Sequence, residues 1–121
     1  MLTQKLDVII SCYTLLDRIQ HFHCREDCVP EWYRKLDSRL GGLLFDTGLL
    51  GDKDNELIII SDHGFCSFGE AIVQTLPLRS EWGELKGDHH EEALLITANL
   101  DYLIERPQDV FFALRMELSN M

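Results

Sequence analysis

The sequence predicts an α/β domain with the element order β-α-β-loop-β-α and helices packed on the sheet. A nearly continuous apolar run, Asp7–Tyr13, is typical of a strand buried on both faces, and a second apolar run, Leu57–Ser61, predicts the second strand. A third such run, Ala93–Ala98, precedes a helix that begins at Pro107, a residue favoured in the first turn. With 121 residues and 45% hydrophobic side chains, the chain suits one domain, residues 1–121.

The connections between these runs complete the pattern. Thr14 to His23 should lead away from the carboxyl end of the first strand. Pro30 then starts a helix, and its apolar stripe consists of Leu36, Leu40, Leu43 and Leu44. The long segment from Gly64 to Glu92 is predicted to be an irregular loop, and loops of that length are commonly functional. The terminal helix has an apolar face made of Val110, Phe111, Leu114 and Leu118.

Composition excludes several classes of partner. The chain carries 11 basic and 21 acidic residues, a net charge of -10, and this charge repels nucleic acid and anionic membranes. A phosphate-ester substrate remains compatible if bound cations offset the carboxylates. The amino terminus has no signal-peptide core, so we expect a cytoplasmic protein whose four cysteines are reduced.

Residues able to bind a metal occur in three separate segments. Asp17 and His21 are four apart, which places them on one face of a helix. Asp62 and His63 end the second apolar run, and His89 precedes the third. Ligands commonly lie at the carboxyl ends of strands in α/β sheets, so these segments can converge there. Taken singly, each also fits an ordinary polar helix face, turn or charged loop.

Four stretches of the chain together resemble a known family. They are Cys12–Phe22, Trp32–Asp37, Ile59–Phe65 and Lys86–His89. Their motifs, Asp-x-x-x-His, Ser-Asp-His-Gly and Gly-Asp-His, resemble the carboxyl-terminal half of type I phosphodiesterase/nucleotide pyrophosphatase proteins, which belong to the alkaline phosphatase superfamily. The resemblance covers Asp7 to Phe112 and implies a partial alkaline-phosphatase-like sheet.

The same resemblance implies how the metal ligands are divided. Asp17, His21 and His89 would bind one metal ion, while Asp62 and His63 would supply two ligands of a second. Zinc is the family's usual metal, and a set of two histidines and one carboxylate also suits iron or manganese. We therefore expect one strong and one weak site, the latter needing water, a partner chain or His90 to complete it.

The catalytic nucleophile is not expected in this chain. The resemblance implies an amino-terminal half with a metal-binding Asp and a Thr or Ser nucleophile, and neither Thr14 nor Ser61 occupies that position. We expect the metal-binding half of a phosphoric ester hydrolase, inactive alone, that forms a homodimer or joins a separately encoded amino-terminal half. The alternative is a non-catalytic module that binds a metal or a protein.

A second cluster of potential ligands follows Asp17. The stretch His21-x-His23-Cys24-x-x-x-Cys28 contains four potential ligands within eight residues, although its spacing is not that of a standard zinc finger. Cys24 and Cys28 are four apart and could bind a soft metal, or they could remain unpaired thiols.

Overall fold

A computed structural model describes residues 8–120, which form a mixed α/β structure. The helices are α1 (Leu15–His23), α2 (Cys28–Gly41), which a π-helical turn (Gly42–Asp46) follows, and α3 (Pro107–Asn120). The strands are β1 (Leu57–Ile60), β2 (Gly64–Ser67), β3 (Arg79–Ser80), β4 (Gly83–Glu84), β5 (Gly87–His90) and β6 (Leu95–Ala98). They form three two-stranded antiparallel sheets, β1 with β6, β2 with β5 and β3 with β4.

The chain divides into two compact units. The first contains the described residues up to Ser38 and the segment His63–Glu92, and the second contains Arg39–Asp62 and the described residues from Ala93 onward. The expectation of a single domain stays a prediction.

The first unit is organised by the antiparallel β2–β5 strand pair and by α1. In this pair, Phe65 lies opposite His89 and Cys66 lies opposite Asp88. The buried apolar side chains of this unit are Val29, Cys66 and Leu85, and the carboxylate of Asp88 is fully buried with them. The unit therefore has a small core that includes an acidic side chain.

Close contact between α1 and β5 depends on Gly87. A Cβ atom at this position would overlap the carbonyl oxygen of Gln20 and would lie 2.9 Å from the Cβ of Cys24. The backbone N–H of Lys86 donates to the carbonyl oxygen of His21 at 2.7 Å, which fixes the last turn of α1 against the start of β5. Only glycine allows a backbone to approach this closely.

The second unit contains the antiparallel β1–β6 strand pair and α3. The backbone and hydroxyl of Ser61 extend the pairing beyond β1, through bonds of 3.0 and 2.7 Å to Leu94. At the start of α3, the carboxylate of Asp109 accepts the backbone N–H groups of Glu105 and Arg106, which would otherwise lack partners at a helix terminus. Among residues 8–120, no helix combines the length and the apolar character needed to cross a bilayer.

The mixed α/β class is confirmed, but the predicted alkaline-phosphatase-like order of elements on one sheet is not, since the described strands form three separate pairs. Two expectations about single elements are also wrong. The predicted strand at Asp7–Tyr13 has no regular structure in its described residues 8–13, where Ile9 and Ile10 are exposed. A strand needs a neighbour for its backbone groups, and β1 instead pairs with β6. The expected irregular segment from Gly64 to Glu92 contains four short strands, because Gly-rich turns let it fold back on itself.

Replacing Gly87 with alanine should destabilise the first unit. The added Cβ has to push α1 away from β5, and overpacking of this kind costs about 1–3 kcal/mol. Gly41→Ala is the matched control, because Gly41 has helical φ of -56° and no atom within 4 Å of the added Cβ. Urea unfolding of both variants measures the loss of stability. An unchanged unfolding midpoint for Gly87→Ala would show that α1 does not pack against β5 at this glycine.

Candidate metal centre

Helix α1 supplies the first two members of the centre. Asp17 and His21 lie one helical turn apart, and Oδ1 of Asp17 is 3.4 Å from Nε2 of His21. The spacing of four residues thus brings both side chains to one face, as the sequence predicts. His21 is the more buried of the two, because its ring packs toward β5.

The β2–β5 strand pair supplies two more imidazoles. His63 directly precedes β2, and His89 lies within β5. Their rings stack with centroids 3.7 Å apart and an interplanar angle of 24°. Two histidines separated by 26 positions in the sequence are therefore held side by side by antiparallel pairing.

Four potential ligand atoms converge on this spot. Oδ1 of Asp17 lies 3.6 Å from Nε2 of His63 and 3.8 Å from Nε2 of His89. Nε2 of His89 lies 3.3 Å from Nε2 of His21. Around tetrahedral zinc, with bonds of about 2.0–2.1 Å, neighbouring ligand atoms are about 3.3 Å apart. These spacings are close to that value, and the ligand atoms of Asp17, His63 and His89 all lie within 4.8 Å of one another, a set that does not include His21.

The other ring nitrogen of each histidine is already occupied. Nδ1 of His21 lies 3.3 Å from the carbonyl oxygen of Gly87, and Nδ1 of His63 lies 3.0 Å from that of Gly64. A carbonyl oxygen only accepts, so each Nδ1 must carry the proton. In a neutral imidazole this leaves the lone pair on Nε2, the atom that faces the cluster.

For His89, a hydroxyl and a buried carboxylate set the same tautomer. Thr75 donates from Oγ1 to Oδ1 of Asp88 at 2.9 Å, and the same Oγ1 lies 3.4 Å from Nδ1 of His89. Burial acts to raise the pKa of Asp88, but bonds from the backbone of His89 and from Thr75 outweigh it and hold the pKa below its usual range. Because an ionised carboxylate only accepts, Thr75 donates to it and accepts the Nδ1–H of His89.

Phe65 packs against all three imidazoles. Its ring meets those of His21, His63 and His89 in edge-to-face geometry, with centroids 4.9, 5.3 and 5.6 Å away. One aromatic side chain therefore restricts the rotation of every histidine in the cluster. It also gives the cluster an apolar floor.

The surroundings of His89 and Asp17 favour the approach of a cation. Burial, followed by the nearby charges of His63 and His21, lowers the pKa of His89 below its ordinary value. Asp17 is the most exposed of the four side chains, at 40%. A cation can therefore approach the cluster from the solvent on the side of Asp17.

The structure regroups the five residues predicted as ligands. Asp17, His21, His63 and His89 lie together in the first unit, so His63, expected at a second metal, lies next to the ligands expected at the first. Asp62 has an exposed side chain and belongs to the second unit. In His90, Nδ1 accepts the backbone N–H of Glu92, which leaves the proton on Nε2, the opposite tautomer.

Sequence reasoning missed three contributors to the centre, Phe65, Thr75 and Asp88. Phe65 follows His63 by two positions, and residues two apart in an extended segment point to the same face. The sequence therefore contained a signal for Phe65. Asp88 neighbours His89 in the sequence but is fully buried, and Thr75 reaches it from an irregular segment that has no periodic pattern.

Replacing Thr75 with valine should weaken metal binding without removing a ligand. Valine keeps the shape but removes the hydroxyl that orients His89, and loss of such an outer partner costs about 10- to 100-fold in metal affinity. Thr75→Ser, which keeps the hydroxyl, should restore the affinity. Isothermal titration with zinc tests this. Equal zinc affinities of the wild-type chain and of Thr75→Val would rule out the orienting role.

Comparison with known proteins finds no relative of this chain. No family model, no curated protein and no solved structure matches the chain. The resemblance to type I phosphodiesterases therefore stays a prediction that rests on its motifs.

Proposed function

We propose that the first unit binds a divalent metal ion of the zinc class through Asp17 and the Nε2 atoms of His21, His63 and His89. One observation carries the proposal. Each of the three histidines has Nδ1 bonded to an acceptor while its Nε2 faces the same carboxylate oxygen. Metal-binding histidines in proteins almost always have this arrangement, because the bond at Nδ1 fixes both tautomer and orientation.

The donor set also determines which ions it suits. Three imidazoles and one carboxylate offer nitrogen and oxygen without thiolate, which fits zinc, iron or manganese. One carboxylate neutralises half of the charge of a divalent ion. The bound ion and its ligands would therefore keep a positive charge, although the net charge of the protein is -10. This local charge would attract an anionic ligand.

We further propose that this ion serves the hydrolysis of phosphoric esters, on the basis of the motif resemblance. A bound divalent ion polarises a phosphoryl oxygen and stabilises the charge that develops on it. This chain's residues would hold the ion, with Thr75 and Phe65 fixing the imidazoles. Asp62 stands as a proposed ligand of a second, weaker ion, and a Thr or Ser nucleophile would come from another polypeptide.

One observation favours the alternative of a metal-binding module without catalysis. The hydroxyl of Thr75 lies beside the cluster but bonds to Asp88 and to Nδ1 of His89, the nitrogen that points away from the converging atoms. It is therefore engaged in orienting a ligand and is not placed to attack a phosphorus atom. A module of this kind would bind the metal as tightly as the metal-binding half of a hydrolase would. It would, however, gain no activity from a second polypeptide.

Replacing His89 with alanine should abolish tight zinc binding, while replacing its neighbour His90 should not. Loss of an orienting partner costs about 10- to 100-fold, so loss of a ligand should cost more than about 100-fold. His90→Ala is a matched control because it removes the same side chain from the adjacent position of the same strand. Isothermal titration measures both, and similar losses in the two variants would contradict the assignment.

Activity separates the two candidate functions. With zinc or manganese, the chain alone should hydrolyse bis(p-nitrophenyl) phosphate no faster than its His89→Ala variant. Adding a polypeptide that carries the family's amino-terminal nucleophile should produce turnover that disappears in His89→Ala. Tight metal binding without such turnover would instead support the non-catalytic module.

A further inference from the structure

The turn between α1 and α2 brings a second set of donor residues together. The backbone N–H of Glu26 donates to the carbonyl oxygen of His23 at 2.9 Å, and that of Val29 donates to the carbonyl oxygen of Glu26 at 3.0 Å. Arg25 completes the turn with a positive φ of 62°, a conformation that non-glycine residues seldom adopt. His23, the last residue of α1, and Cys28, the first of α2, thereby lie on either side of Glu26.

The donor atoms of these residues are close enough to share an ion. His23, Glu26 and Cys28 each offer one ligand atom, and the three atoms lie within 4.8 Å of one another. Nδ1 of His23 is 2.8 Å from Oε2 of Glu26. Imidazole nitrogen, carboxylate oxygen and thiolate sulfur are the three kinds of protein ligand that zinc accepts.

Contacts with Lys86 hold the carboxylate in position. Its ammonium group forms an ion pair with Oε1 of Glu26, which leaves Oε2 on the side of His23. The bonds from Lys86 and then His23 hold the pKa of Glu26 below its ordinary value, so the group is ionised. The backbone of Lys86 is itself bonded to His21, so the carboxylate is tied to β5 as well as to the turn.

The thiols of this region differ in their surroundings. Burial raises the pKa of Cys24 and of Cys66, and the Sγ of Cys24 donates to the carbonyl oxygen of Cys66. Cys28 is the first residue of α2, and its sulfur lies within 4.8 Å of the donor atoms of His23 and Glu26. Of the cysteines near the turn, Cys28 is thus the one placed to bind a metal.

We propose that His23, Glu26 and Cys28 form a second metal site, for zinc or a similar borderline-soft ion, which fixes the turn between α1 and α2. Three protein ligands leave a fourth position for water. Binding would displace the thiol proton of Cys28 to solvent and would replace the contact between His23 and Glu26 by two bonds to the ion. The site shares no ligand with the centre at Asp17, so it stands or falls independently of the proposed function.

Cobalt(II) titration of the reduced full-length chain tests the proposal. Thiolate bound to cobalt gives an intense near-ultraviolet charge-transfer band, which a centre of imidazole and carboxylate ligands does not produce. We expect this band in the wild-type chain and in His89→Ala, and its loss in Cys28→Ser and in His23→Ala. Cys24→Ser is the matched control, because it removes a thiol from the same turn, and it should keep the band.

Alkylation of the wild-type chain gives a second measurement that needs no variant. Zinc should slow the modification of Cys28 by iodoacetamide about tenfold or more, because a bound thiolate is not free to react, and it should leave Cys12 unaffected. Mass spectrometry of peptides resolves the two sites. Absence of the cobalt band in the wild-type chain, its survival in Cys28→Ser, or equal alkylation of Cys28 with and without zinc would each overturn the proposal.

Discussion

The contact between α1 and β5 at Gly87 is the constraint on which the metal centre depends. The backbone of Gly87 lies so close to α1 that a Cβ would overlap the carbonyl of Gln20, and its carbonyl oxygen accepts the Nδ1–H of His21. The same residue begins the strand that carries His89. One glycine therefore sets both the distance between α1 and β5 and the orientation of one imidazole.

The centre is organised before any ion binds. The carbonyl oxygens of Gly87 and Gly64 hold the rings of His21 and His63. Thr75, which is itself bonded to the buried Asp88, holds the ring of His89. Each ring is therefore oriented by a contact at its Nδ1. Binding of a metal ion at the proposed centre would consequently require little rearrangement, which would lower its entropic cost. The carboxylate of Asp88 has its Oδ2 buried without a hydrogen-bond partner among the described residues. Such a buried group costs stability, and its bond to Thr75 gives a functional reason to keep it.

How much of this the sequence predicted depends on how local each signal is. The spacing of Asp17 and His21, the strand beginning at Leu57 and the helix beginning at Pro107 rest on neighbouring residues, and all three elements are present. The predicted first strand is absent and the segment after Gly64 contains strands, because both outcomes depend on which strands pair. The periodicity of a sequence does not contain that information. The grouping of His63 with His89 likewise follows from the β2–β5 register, a long-range property.

The three histidines turn their Nε2 atoms toward Asp17, while the Nδ1 of each ring faces an acceptor. Long-range nitrogen–proton correlation NMR of the metal-free protein at neutral pH reads the tautomer of each ring directly. We expect the Nδ1–H tautomer for His21, His63 and His89 and the Nε2–H tautomer for His90, with zinc shifting the Nε2 signals of the first three alone. Nε2–H tautomers in His63 and His89, or Nε2 signals that zinc leaves unmoved, would contradict the account.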